Sequence, residues 1–182
     1  MIRKLTVVGG GGHIGLPLSV VFANSGIDVI CYDKNIKIIN ECKAGKMHFI
    51  EKNGIKELKQ AIANKKISFT TKLNKKMHNS DFIITIGTPV DEFMNPNMQV
   101  IFKCIDEIIP YISKNSLVIL RSTVFPGTTS LIQEHLDKLK KNIHVVFCLE
   151  RVVQGLAIDE IKTLPQVIAA TNPSGKKRAT EL

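Results

Sequence analysis

The sequence predicts an α/β fold, a doubly wound parallel sheet in a single domain. Three observations predict it. Short apolar runs such as Leu5 to Gly9, Asp28 to Tyr32, Phe82 to Ile86, Ser116 to Leu120 and His144 to Cys148 are apolar on both faces, as strands buried from two sides are. Stretches with helical spacing alternate with those runs, which calls for parallel strands joined by crossover helices. Glycines and polar residues punctuate nearly every junction between the two.

The elements follow in order. After the first run, Ile14 to Asn24 places Ile14, Leu18, Val21 and Phe22 on one helical face, and Ser25-Gly26 ends it. Asp28 to Tyr32 is the second strand, closed by Asp33. Asn35 to Ala44 reads as a helix with Ile38, Ile39 and Cys42 inward and Gly45 as its stop. Gly54 to Asn64 is a third helix and Ile67 to Thr70 a short strand. Phe82 to Ile86 ends in Gly87-Thr88-Pro89, and a helix over Gln99 to Ile112 follows. Ser116 to Leu120 ends in Arg121-Ser122-Thr123; Gly127 to Leu139 is helical; His144 to Cys148 leads to Leu149-Glu150. Residues 173–182 have the character of a helix opening, so the domain is expected over 1–172.

Composition narrows the function classes. With 182 residues, 44% hydrophobic and 23% charged, the chain can bury one full core. The apolar runs are far too short to span a bilayer, and the N-terminus MIRKLTVVGG lacks the features of a signal peptide, so a cytoplasmic location and no membrane partner are expected. Cys31, Cys42, Cys104 and Cys148 form no CxxC pair, and the five histidines give no HExxH; buried thiols and no metal are expected. The formal charge of +9 would favour a polyanion, but the lysines are spread and no basic helix is interleaved with aromatics. A solvated surface, and no nucleic-acid partner, is expected.

The stretch VVGGGGHIGLP carries the chemistry. Gly10-x-Gly12-x-x-Gly15 follows a strand and opens a helix. One glycine allows the tight turn, the second lets a pyrophosphate approach the backbone, and the third lets helix and strand pack closely. Free amides of the first helical turn, with the helix dipole, then hold the diphosphate. Gly9 and Gly11 are surplus to this pattern and are expected only to loosen the turn. Asp33 comes 18 residues after Gly15, at the end of the second strand. A carboxylate there accepts the ribose hydroxyls and repels a 2′-phosphate, which favours NAD over NADP; Lys34 beside it weakens that preference slightly. The fold is therefore Rossmann-type. His13 and Ile14 share the glycine turn and count with Gly10, Gly12, Gly15 and Asp33 as cofactor-binding candidates. At the carboxyl ends of later strands, Thr88, Pro89, Ser122, Thr123 and Glu150 place hydroxyls, a proline and a carboxylate at the rim where such sheets bind ligands.

In combination, VVGGGGHIGLPLSVVFANSG, VICYDKN, GKMHFIE, IGTPVDE, LRSTVFPGTT and CLERVVQGLAIDEI resemble the UDP-glucose/GDP-mannose dehydrogenases, most of all the branch that oxidises UDP-N-acetyl-sugars. The resemblance runs from Ile2 to near Leu182. It implies oxidation of a sugar C6 alcohol to a carboxylate in two NAD-dependent steps. It implies that Thr88, Pro89 and Ser122 border the cofactor, that Thr123 helps hold a water or the reacting oxygen, and that Glu150 serves proton transfer and hydrolysis. The family's central lysine-bearing helix and its second domain, with the nucleophilic cysteine, have no counterpart here, and Cys148 is not that cysteine. The family's proline before the glutamate is Leu149, and Gln154 stands where relatives carry an acid or proline. The chain is thus expected to be a truncated NAD-binding domain, with 173–182 the start of an inter-domain helix. Alone it is expected to be inactive and a monomer or weak dimer, its nucleotide-sugar substrate shared with a missing C-terminal domain and its full-length form a homo-oligomer. Two alternatives stay open: a standalone NAD-binding or redox-sensing module, and another two-domain dehydrogenase of the hydroxyacid or hydroxyacyl-CoA kind.

Overall fold

The computed structural model describes residues 4–87 and 98–182. Its strands, β1 (Lys4–Val8), β2 (Asp28–Tyr32), β3 (Ile67–Thr70), β4 (Asp81–Ile84), β5 (Leu117–Leu120), β6 (His144–Cys148) and β7 (Ile168–Ala170), take the order β3-β2-β1-β4-β5-β6-β7 in a seven-stranded sheet. The chain divides into two compact units, Met1–Asn74 with Arg151–Pro165, and Lys75–Glu150 with Gln166–Leu182.

In the first unit, β1 (Lys4–Val8), β2 (Asp28–Tyr32) and β3 (Ile67–Thr70) run parallel, with Lys4 opposite Asp28 and Val29 opposite Ile67. Leu5, Val7 and Cys31 are wholly buried, as expected of strands covered on two faces. Helix α1 (Gly15–Asn24) departs from its expected amphipathic face. Leu16, Leu18, Val20 and Ala23 are buried while Ile14, Val21 and Phe22 are only half-buried. The reason is that α1 packs on β2, on α3 (Gly54–Ala63) and on α6 (Ala157–Thr163), so it is wrapped rather than laid on a surface. Helix α2 (Ile36–Lys43) is capped by Asn35, whose side chain accepts the Lys37 and Ile38 amides at 3.1 and 3.3 Å.

Helix α6 lacks a capping side chain of its own. A distant loop supplies one: Glu51 Oε1 accepts the Ile158 N–H at 2.9 Å. Lys52 fastens the same segment twice, through its N–H to Gly155 O at 2.8 Å and through Nζ to Asp159 at 2.8 Å.

In the second unit, β4 (Asp81–Ile84), β5 (Leu117–Leu120) and β6 (His144–Cys148) are parallel, and β7 (Ile168–Ala170) pairs antiparallel with β6. The sheet is mostly parallel, as expected of a doubly wound fold, with β7 an antiparallel edge strand. Strand β4 stops at Ile84 rather than Ile86 because the chain leaves the ladder there: Ser122 Oγ donates to Ile86 O at 2.5 Å in place of a strand bond. Helix α4 (Met98–Ile108) ends before the expected Ile112, since Pro110 brings no N–H; a 3₁₀ turn, Ile109–Tyr111, completes the run. Helix α5 (Thr128–Asp137) precedes β6.

Helix α7 (Pro173–Thr180) covers the expected helix opening. Asn172 caps it, accepting the Gly175 N–H at 2.8 Å. A Cβ on Gly175 would stand 3.1 Å from His144 Cβ, so the helix lies close on β6. Arg178 Nη2 meets both Asp81 oxygens at 2.8 and 3.0 Å.

Candidate functional site

The glycine turn leaves β1 at Gly9, whose φ of 79° is left-handed backbone that glycine enters without cost. The Gly9 and Gly10 amides both donate to Tyr32 O, at 3.0 and 2.9 Å, which folds the turn onto the end of β2. A Cβ on Gly10 would meet Cys31 Sγ at 2.6 Å and Val7 O at 2.9 Å, and one on Gly11 would meet Ile38 Cγ2 at 2.5 Å. Gly9 and Gly11 are therefore not surplus: one is set by its backbone angle and the other by contact with α2.

Gly12 is different. Among the described residues an added Cβ would have only Gly9 O as a neighbour, at 3.4 Å, and its φ is not left-handed. Nothing among the described residues requires glycine there, whereas a ligand lying against bare backbone would. Gly15, buried, opens α1 and accepts the Ser19 hydroxyl at 2.7 Å. Ile14 is the N-cap and gives no side-chain cap, and the first turn holds no acid. The Leu16 N–H is taken by Gly12 O and Pro17 has no N–H, so the His13, Ile14 and Gly15 amides and the positive end of the dipole are what this turn offers a diphosphate.

Asp33 completes this half. Its Oδ2 accepts the Gly11 N–H at 3.1 Å and its Oδ1 accepts the Asn35 N–H at 2.9 Å. A carboxylate has about four acceptor positions, so these two bonds orient it and leave capacity on each oxygen for a ribose diol. His13 is exposed on the turn, its ring 4.4 Å from that of Phe49 and 5.8 Å from that of His48. The GKMHFIE stretch therefore stands beside the glycine turn, a placement that local sequence did not announce. Burial pushes the Cys31 thiol well up and the Cys42 thiol up to about 11, with Asp33 adding to both, so neither is a reactive thiolate near neutral pH.

The second unit carries the other candidates. Thr123 is exposed just beyond β5. Ser122 is buried, and its hydroxyl donates to Ile86 O. Glu150 follows β6 with its side chain 12% exposed, and Oε2 lies 2.6 Å from Arg121 Nε. Arg121 and Gln166 were not among the expected site residues. Arg121 is buried, and its Nη1 donates to Cys148 Sγ at 2.9 Å and to Gln166 Oε1 at 2.8 Å. Burial raises the Cys148 thiol, against the opposing pull of Arg121. Thr88 and Pro89 lie outside the described residues.

All four cysteines are free and buried. Among the described residues no three His, Cys, Asp or Glu side chains converge as metal ligands, and no helix is long and apolar enough to cross a membrane.

Comparison with known proteins bears on both halves. The model of the UDP-glucose/GDP-mannose dehydrogenase family, NAD binding domain, matches residues 3–182. The chain is 34% identical over 184 residues to the UDP-N-acetyl-D-mannosamine dehydrogenase of Methanocaldococcus jannaschii, and 32% identical over 185 residues to that of Methanococcus vannielii. Each alignment takes in 100% of this chain and 42% of the relative. The solved UDP-D-ManNAc dehydrogenase of Pyrococcus horikoshii superposes with a TM-score of 0.91 at 28% identity, covering 98% of this chain and 44% of that one. The chain therefore spans less than half the length of these relatives.

Proposed function

Since the chain belongs to the UDP-glucose/GDP-mannose dehydrogenase family as its NAD binding domain, we propose that it is the cofactor-holding part of a nucleotide-sugar 6-dehydrogenase. The substrate class proposed is a UDP-N-acetylhexosamine, oxidised at its C6 alcohol to a carboxylate. The observation that carries the cofactor half is the uncapped start of α1 beside a carboxylate already oriented by the Gly11 and Asn35 amides. The relatives named for UDP-N-acetyl-D-mannosamine support the substrate class.

In this reading the amides of His13, Ile14 and Gly15 bind the diphosphate of NAD, the Gly12 N–H being held by Gly9 O, and Asp33 binds the adenosine ribose diol. His13 and Ile14 line the turn. When bound, NAD supplies the hydride acceptor. Glu150 takes a proton or orients water beside the reacting carbon, and Thr123 holds the reacting oxygen or a water. Ser122, proposed to border the cofactor, is held at the end of β5 by its bond to Ile86 O. Thr88 and Pro89 are proposed to bind the cofactor on the strength of the family resemblance alone. The relatives run to more than twice the aligned length, and the substrate is proposed to be shared with a segment beyond the aligned part, toward which residues 173–182 lead. The 182 residues alone turn over no sugar, act in the cytoplasm, and are monomeric or weakly dimeric.

Isothermal titration tests the cofactor half. NAD is expected to bind, and NADP to bind at least about 10-fold more weakly, because a 2′-phosphate would meet the Asp33 carboxylate. No heat at millimolar NAD overturns the reading. Steady NADH formation from a UDP-sugar by the 182 residues alone overturns the claim that the substrate needs a further segment.

A further inference from the structure

Arg121 stands one residue beyond β5, where the β5–β6 register, Leu120 opposite Phe147, brings it level with Cys148. Cys148 and Glu150 are two residues apart on an extended stretch, so both side chains fall on one face. Gln166 lies just before β7, whose Ile168 pairs with Cys148. One guanidinium thus joins the ends of three strands. Nε holds Glu150 Oε2 at 2.6 Å, and Nη1 holds Cys148 Sγ at 2.9 Å and Gln166 Oε1 at 2.8 Å. Its backbone is also fixed, its N–H donating to Ile84 O at 2.9 Å.

The arrangement is a poor device for stability alone. Arg121 is only 5% exposed, and desolvating an ion pair offsets most of its attraction, so apolar residues in the same space would serve folding at least as well. Nη2 is buried with no hydrogen-bond partner among the described residues, a further cost that a purely structural contact has no reason to carry. The partners at Nη1 are neutral, and Glu150 is the acid that answers the charge. What the fork does supply is direction: two rigid anchors on one end and a carboxylate held on the other.

We propose that Arg121 is a positioning residue for Glu150, fixing the carboxylate at the end of β6 through its second anchor on Cys148 and Gln166. The inference rests on the reading of Glu150 as the group that handles protons and water in the oxidation. Arg121 touches neither substrate nor cofactor in this account and acts only through Glu150.

The test uses the full-length dehydrogenase that carries this chain, assayed as NADH formation from a UDP-N-acetylhexosamine. Arg121→Gln is expected to lower kcat about 100-fold, the scale of a misplaced acid–base group, and to leave KM for NAD within about 2-fold. Arg121→Lys, which keeps the charge without the fork, and Gln166→Ala, which loosens the far anchor, are expected to lower kcat less, in that order. In a Glu150→Gln background, Arg121→Gln is expected to add less than about 2-fold, because both act through one group.

Wild-type kcat in Arg121→Gln, or an effect that multiplies that of Glu150→Gln, overturns the inference. If Arg121→Gln loses its cooperative melt, wild-type kcat in both Arg121→Lys and Gln166→Ala does the same. A wild-type enzyme that forms no NADH, or one that Glu150→Gln leaves unchanged, removes the underlying reading instead, and the inference falls with it.

Discussion

Around the glycine turn, an added Cβ at Gly10 would stand 2.6 Å from Cys31 Sγ; at the ends of β5 and β6, the large Arg121 side chain is buried and joined to three partners. The first region is shaped by missing side chains, so that the backbone can approach its neighbours and a ligand. The second is shaped by a long side chain that reaches groups 27 to 45 residues away in sequence. The comparison teaches that a phosphate cradle is a backbone problem, solved by residue type at fixed spacing. A poised carboxylate is a side-chain problem, solved by whichever partners the fold brings near.

If that contrast is right, the harshest change should be the smallest one. Gly10→Ala adds one methyl against Val7 O, a backbone atom that cannot turn aside, as well as against Cys31 Sγ. It is expected to destabilise the chain by about 3 kcal/mol, the upper range for overpacking, and to remove NAD binding. Urea denaturation and calorimetry read both effects. Gly12→Ala sharpens the point, because among the described residues its Cβ would have only Gly9 O, at 3.4 Å, within reach. It should keep nearly wild-type stability and lose NAD affinity. Equal stability losses at the two positions would break the distinction between a glycine the protein needs and one the ligand needs.

Next in size is Asp33→Ala. It leaves the Gly11 and Asn35 amides without their acceptor and removes the partner of the ribose diol. NAD affinity is expected to fall about 100-fold, on the scale of one or two hydrogen bonds to a charged group. Asp33→Asn should fall less, since one oxygen can still accept a backbone amide. Titration of both variants checks the order.

The first region was legible in the sequence and the second only in part, for the same reason. Close backbone approach can be met by glycine alone, so Gly10 and Gly12 are visible wherever they occur, and an acid closing a strand marks Asp33. Buried strands show as apolar runs. Arg121 gave no such mark, because a cation after an apolar run reads as a surface residue until its partners at 148, 150 and 166 are placed. Strand β7 is three residues long with half-buried or exposed side chains, and α6 is seven residues long with its cap supplied from Glu51, 107 positions earlier. Neither has a local pattern strong enough to read. Gly11 was misread for the converse reason: its constraint is Ile38 of α2, which only the folded chain brings near.

The smallest expected effect lies where α7 meets β6. His144 is buried, its Nδ1 has no hydrogen-bond partner among the described residues, and Nε2 is 3.4 Å from Ser174 Oγ. Burial, with the nearby Arg178 charge, holds its pKa below the ordinary 6.5, against weaker opposing pulls from Asn172 and Asp81. The folded state therefore prefers the neutral ring more than the unfolded chain does. Stability from this group is complete above about pH 6.5 and declines as pH falls through that value toward the folded pKa, because the unfolded state then binds the proton more readily. His144→Gln keeps a polar side chain of similar size and cannot titrate. Wild type should lose more stability than this variant between pH 7.5 and pH 5, with the first unit's glycine turn unaffected in NAD binding at pH 7.5. Parallel pH curves for the two proteins would show that the α7 contact, unlike the Arg121 fork, places no demand on the charge of the residue beneath it.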